Sequence, residues 1–190
     1  MTIAMSELER MLELNMGEAA SPATFMLSMD AANYSKRLPV VMETFLTRRK
    51  GDAVYVTFNK PAASLAELFK GIDHKNRMLF LDVISSHTGE KGSEMENAFF
   101  VSYPGDLTGV MVVLSRTLKM HQFRFLFVDS LSSVLIYNDE RTTTRFLHAL
   151  AAMCKQNLVH LVLLSSDDLP PSFSSSISSL AAAQLAEAGA

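Results

Sequence analysis

The apolar stretches of this chain are short, unbroken and separated by helical faces, and that pattern limits the folds open to it more than any other feature. Thr24–Met29, 53–58, 78–84, 123–128 and 158–164 are near-continuous runs of apolar and β-prone residues. Runs of this kind suit strands buried on both faces, whereas a half-exposed strand alternates. Between them lie segments with apolar residues three and four apart: Leu38, Val41, Met42 and Phe45, then Ala62, Leu65, Ala66 and Phe69. Leu107, Val110, Met111, Leu114 and Leu118 follow, then Phe146, Leu147, Leu150, Met153 and Cys154. Strands alternating with amphipathic helices predict an α/β fold, a mostly parallel central sheet of about five strands with helices on both faces. Gly51 is expected to close the second helix at its C-terminus, and Phe99–Ser102 is a further short strand.

The flanks read differently. Residues 1–20 form an amphipathic N-terminal helix with Met5, Leu8, Leu12 and Met16 on one face and a Ser6–Glu9 capping box. The α/β domain is assigned to residues 21–166, and residues 167–190 to a Ser/Ala-rich C-terminal tail with at most a short helix and no further strand. Residues 85–97, polar and holding two glycines, are expected to be an exposed, mobile loop.

At 190 residues the chain suffices for one domain with a core, and 48% hydrophobic against 19% charged residues is a globular balance. A net charge of −3 offers no electrostatic basis for a nucleic-acid partner. Arg48, Arg49 and Lys50 fit a helix C-terminus and its dipole. Cys154 is the only cysteine, so neither an internal disulfide nor a thiolate metal cluster is expected. No apolar run approaches the roughly 20 residues of a membrane span. Glu7 and Glu9 stand where a signal peptide needs positive charge, so a cytoplasmic location and no membrane partner are expected.

In an open parallel sheet, ligands collect at the carboxyl ends of the strands. Two such ends stand out: the turn Asp30-Ala-Ala-Asn-Tyr-Ser-Lys36-Arg37, and the strand Phe-Arg-Phe-Leu-Phe-Val-Asp129-Ser130. With Gly51-Asp-Ala-Val-Tyr-Val-Thr-Phe58, Asp129-Ser-Leu-Ser-Ser, Arg145-Phe-Leu-His148 and Leu-Val-Leu-Leu-Ser165, they resemble the KaiC-type branch of the RecA ATPases over residues 24–166. The resemblance implies a RecA-like P-loop NTPase fold and a nucleotide site at these two ends. Its vestigial candidates are Lys36, Arg37, Asp129 and Ser130.

Against the P-loop pattern G-x-x-x-x-G-K-[ST], only the lysine survives, as Lys36. Asp30 and Ser35 replace the two glycines, so the backbone loses the freedom to wrap phosphates and gains a negative charge. Arg37 replaces the hydroxyl that binds magnesium and would repel the metal. Asn59-Lys60 stand where KaiC-like enzymes carry acids that activate water, and neither serves as a base at neutral pH. Phosphoryl transfer rests on positioning and charge stabilisation, so the resemblance implies no catalytic residue, no metal site and no cofactor. A regulatory or scaffold protein follows, with a protein partner that is either a related active ATPase or another copy. The alternative is a divergent ATP/ADP-binding switch or weak ATPase built on Lys36, Arg37 and Asp129. Asp30 and Asp129 are expected on one sheet edge, with a turn after the first strand too tight for a phosphate nest. Lys36 or Arg37 is expected to pair there with Asp30 or Asp129. A serine-hydrolase reading of Ser130 or Ser133 with His148 and Asp139 lacks the G-x-S-x-G turn.

Overall fold

The computed structural model describes residues 21–88, 95–166 and 169–186. Residues 1–20, the predicted amphipathic helix, lie outside them, as do residues 89–94 of the predicted loop.

Seven parallel strands form one sheet in the order β4-β3-β2-β5-β6-β1-β7. They are β1 (Thr24–Met29), β2 (Ala53–Thr57), β3 (Met78–Asp82), β4 (Ala98–Phe100), β5 (Phe125–Asp129), β6 (His160–Ser166) and β7 (Ala183–Ala186). The period of two divides their side chains between two cores. Phe25, Leu27, Tyr55, Phe80, Phe127 and Val162 face one layer, formed by α1 (Tyr34–Glu43), the turn of π-helix that continues it (Thr44–Arg48) and α2 (Ala62–Leu68). Met26, Val54, Val56, Leu81, Val128 and Leu163 face the other. That layer holds α5 (Leu107–Met120), α6 (Leu131–Tyr137), α7 (Glu140–Gln156) and α8 (Pro171–Ser178). Two single turns, α3 (His74–Arg77) and α4 (Ser85–Thr88), flank β3. The long helices start where the sequence supplies caps: Asp106 accepts from the Gly109 N–H at 2.8 Å, and Asp139 from the Thr142 N–H at 2.8 Å.

Three expectations need correction. The sheet has seven strands, not about five, because short edge strands carry little apolar signal. One of these is β7, so the C-terminal segment does contain a further strand, which pairs with β1 from Phe25↔Ala183 to Ser28↔Ala186. Phe173 and Ile177 of α8 are fully buried in the second core. The serine-rich stretch therefore completes the domain. Second, Gly51 is not the left-handed cap of the second helix; that conformation falls on Lys50, at φ 51°. Gly51 is needed for close approach, since a Cβ there would lie 2.5 Å from Phe125 Cε2 and 2.6 Å from Arg124 Cβ. Third, residues 85–97 open with a helical turn rather than a loop. Among the described residues, no helix is long and apolar enough to cross a membrane, and no group of three or more His, Cys, Asp or Glu is placed to hold a metal.

Candidate functional site

The carboxyl edge of the sheet brings together the ends of β1, β2, β3 and β5. Asp30 follows β1 and Asp129 ends β5, so both lie on that edge, as the sequence predicts. The turn after β1 is tight. The Asn33 N–H donates to the Asp30 carbonyl at 3.0 Å, while the Asp30 carboxylate accepts from the Ala32 N–H at 3.1 Å and the Asn33 amide at 2.7 Å. An aspartate that binds its own following backbone is an Asx-type turn, and it uses N–H groups that a phosphate nest would present outward. Helix α1 begins directly after it, at Tyr34.

Tyr34 decides what this edge contains. Its ring is buried, and its hydroxyl donates to Asp129 Oδ1 at 2.6 Å. Tyr55, in the middle of β2, donates to Asp129 Oδ2 at 2.7 Å. The Asp129 side chain has 0% of its surface exposed. Burial pushes the Asp129 carboxyl above the ordinary carboxylate range; the Tyr34, Tyr55 and Asn59 bonds and the Lys60 charge pull it back in part. Both phenols sit well above their ordinary value, through burial first and the Asp129 charge second, so they stay protonated and remain donors. Each carboxylate oxygen is thus engaged by a neutral donor in a dry pocket. Asp129 accepts from this phenol pair, and the Lys60 charge also acts on it. A tyrosine ring fills buried volume that a lysine could occupy only by desolvating its ammonium.

The other predicted residues surround this centre without converging on it. Lys36 is exposed in the first turn of α1, and Arg37 beside it is half-buried. Ser130 follows Asp129 through a cis peptide bond and caps α6, its Oγ accepting from the Ser133 N–H at 3.3 Å. That Oγ also lies 2.8 Å from Ser133 Oγ and 3.1 Å from Ser132 Oγ. At the end of β2, Thr57 Oγ1 donates to the Lys60 carbonyl at 2.6 Å, and the Lys60 ammonium donates to Ser35 Oγ at 2.6 Å. Lys60 thereby ties the loop after β2 to α1 across the span where a P-loop would open. Asp139 is spent capping α7, and His148 lies nine residues on, about 13 Å along that helix, so no hydrolase triad forms.

Three buried positions escaped the sequence reading. Tyr34 fell in a polar turn and Tyr55 in an apolar strand, and only the pairing of β2 with β5 and the placement of α1 show that their hydroxyls meet. Asp82, the last residue of β3, is the third. It is buried and accepts from the N–H groups of Ala62 (2.7 Å), Ile84 (3.0 Å) and Ser85 (2.8 Å) and from Ser85 Oγ (2.7 Å). Its signal was available, because Met-Leu-Phe-Leu-Asp82 ends in an acid as Phe-Leu-Phe-Val-Asp129 does. Four donors leave it a structural cap of α2.

Comparison with solved structures decides the fold. A KaiC-like protein from the hyperthermophilic archaeon Pyrococcus horikoshii superposes with a TM-score of 0.56 at 15% identity, covering 82% of this chain and 66% of that one. The chain has a RecA/KaiC-like fold. A second protein of that organism, uncharacterised and solved in complex with an unknown peptide, superposes with a TM-score of 0.72 at 13% identity. That match covers 95% of this chain and 83% of the other. No family model matches the sequence, and no curated protein matches it. At the carboxyl edge of this sheet both oxygens of Asp129 accept from phenols, so the carboxylate offers a magnesium ion no open oxygen.

Proposed function

We propose that this chain is a non-catalytic RecA/KaiC-like domain that works through protein contacts, as a regulatory or scaffold protein. The observation that carries this reading is the Tyr34–Asp129–Tyr55 hydrogen-bond pair. A Walker B aspartate serves phosphoryl transfer by helping to hold magnesium, which requires an accessible carboxylate. Here the carboxylate is buried beneath two phenols, and the turn before it is closed by Asp30 and by the Lys60–Ser35 bond. Retention of the fold after loss of the cradle, the metal hydroxyl and the base favours a role carried by surfaces. The peptide bound to the second Pyrococcus protein agrees with a contact-making role for a domain of this shape.

Calorimetric titration with ATP and ADP, with and without Mg²⁺, tests the reading. The expected result is no saturable binding at micromolar nucleotide, and phosphate release at background. Micromolar ATP affinity that Lys36→Ala abolishes would overturn it in favour of a divergent nucleotide-binding switch.

A further inference from the structure

The opposite edge of the sheet, where the strands begin, carries a feature the nucleotide-site geometry does not use. Helix α7 ends in a Schellman arrangement: the Val159 N–H donates to the Cys154 carbonyl at 2.9 Å and the Leu158 N–H to the Lys155 carbonyl at 3.3 Å. That arrangement places Leu158 in the left-handed region, at φ 59°. Glycine or asparagine normally occupies this position, because a side chain there strains the backbone. Leu158 is nonetheless a leucine, and 74% exposed. It contributes strain and gains little burial, a combination that points to a use outside the chain's own core.

Leu158 is not isolated. Together with Asn157 and the segment 118–124 it lines one open depression of about 790 Å³, which also holds Met120, 76% exposed, and the half-buried Phe123. Among the described residues, the titratable ones lining it are Lys119, His121 and Arg124, with no carboxylate. Asp52 bonds His121 Nε2 at 2.8 Å from outside the depression. Arg124 has one guanidinium nitrogen on the Arg49 carbonyl, at 2.6 Å. In a chain of net charge −3, this is a concave surface with Lys119 and Arg124 beside exposed apolar side chains.

We propose that this depression, with the exposed Met120 and Leu158 standing beside the half-buried Phe123 and with Lys119, His121 and Arg124 around them, is the docking site for an acidic segment of a partner protein that inserts an apolar side chain. An open depression between projecting side chains takes up an inserted side chain, which a flat bilayer surface does not supply. Exposed Met and Leu offer a nucleic acid nothing that phosphate contacts require. Methionine adapts to differently shaped apolar anchors. The Lys119 and Arg124 charges select carboxylates around the anchor and make binding salt-sensitive. The proposal rests on the reading of this protein as a contact-making domain and specifies where the contact lies.

The test is selection of a phage-displayed random 12-residue library on the full-length protein, counter-screened on a Leu158→Asn/Lys119→Glu variant. The expected result is enrichment of peptides with an apolar residue flanked by Asp or Glu. Their affinity should fall about tenfold or more in the variant and weaken with added salt. Leu158→Asn by itself should leave Tm unchanged or raise it by up to about 3 °C, since asparagine tolerates the left-handed conformation. A fall in its Tm of more than about 5 °C assigns Leu158 a structural role and overturns the proposal. So does enrichment that ignores the variant, enrichment of basic peptides, or none. Leu158-dependent binding to phosphatidylserine vesicles, or a Leu158-dependent dimer in sedimentation, would also overturn it by naming a different occupant. Enrichment indifferent to the variant leaves the contact-making function standing, whereas tight ATP binding removes that function without touching this surface.

Discussion

Burial sets the behaviour of Asp129, and its consequences can be measured one residue at a time. A carboxyl whose folded pKa lies above its unfolded value of about 4 favours folding when protonated. Its contribution is therefore fully present below that unfolded value and is lost as pH rises through the raised folded pKa. Asp129→Asn keeps a neutral acceptor in place and should remove this pH dependence. We expect its stability in urea at pH 8 to lie within about 1 kcal/mol of wild type or above it, with its advantage over wild type shrinking toward pH 4. A loss of several kcal/mol at pH 8 would show that the charge itself is required. The tyrosines should behave in the opposite way. Tyr34→Phe and Tyr55→Phe each leave one oxygen of a buried carboxyl without its donor, and each should cost about 1.5–3 kcal/mol. Because they share Asp129, the double variant should depart from the sum. Additive losses would show that the two phenols act independently.

At the scale of elements, the start of α1 is where the proposed loss of nucleotide binding can be tested. The Asx turn at Asp30 and the Lys60–Ser35 bond close the segment locally, while Tyr34 closes it through Asp129, across the sheet. Local restoration is therefore not enough. A variant carrying Asp30→Gly, Ser35→Gly and Arg37→Thr should still fail to bind micromolar ATP in calorimetry, and only the further change Tyr34→Ala should free the carboxylate. Micromolar binding by the triple variant would show that Tyr34 does not occlude the site. The junction before β2 follows a related logic of close approach. Gly51→Ala would press its Cβ on Phe125 and Arg124, so it should cost about 1–3 kcal/mol, read from the urea midpoint.

For the whole molecule, the C-terminal segment is the sharpest case. α8 buries Phe173 and Ile177 completely, and β7 extends the sheet beside β1. Phe173→Ala should cost about 3–5 kcal/mol, a large share of the stability of a domain this size. Truncation after Ser166 should abolish cooperative unfolding followed by circular dichroism; a truncated chain that unfolds like the full one would show that the segment is dispensable. Cys154 offers a global reporter. It is buried and its thiol is pushed up to about 12, so modification by a thiol reagent at pH 8 should proceed only as fast as the domain opens.

The sequence determined the parallel α/β architecture, because unbroken apolar strands can be satisfied only by helices on both faces. The identities of Asp30, Ser35 and Arg37 are likewise what the proposed loss of a phosphate cradle rests on, whatever surrounds them. The caps at Asp106 and Asp139 are contacts within three residues, local enough for a sequence to carry, although the sequence reading named neither as a cap. Tertiary structure decided the rest. Tyr34 and Asp129 are 95 residues apart, and their bond exists only because α1 packs over a sheet in which β2 lies beside β5. β7 was invisible because Ala-Gln-Leu-Ala is four residues of low β-propensity apart from Leu185, with no strand signal until β1 offers them an edge. Leu158 reads as an ordinary strand residue until the end of α7 turns it outward. Local chemistry is written in neighbouring residues, but the partner of a buried hydroxyl is chosen by packing over distances that no pattern along the chain encodes.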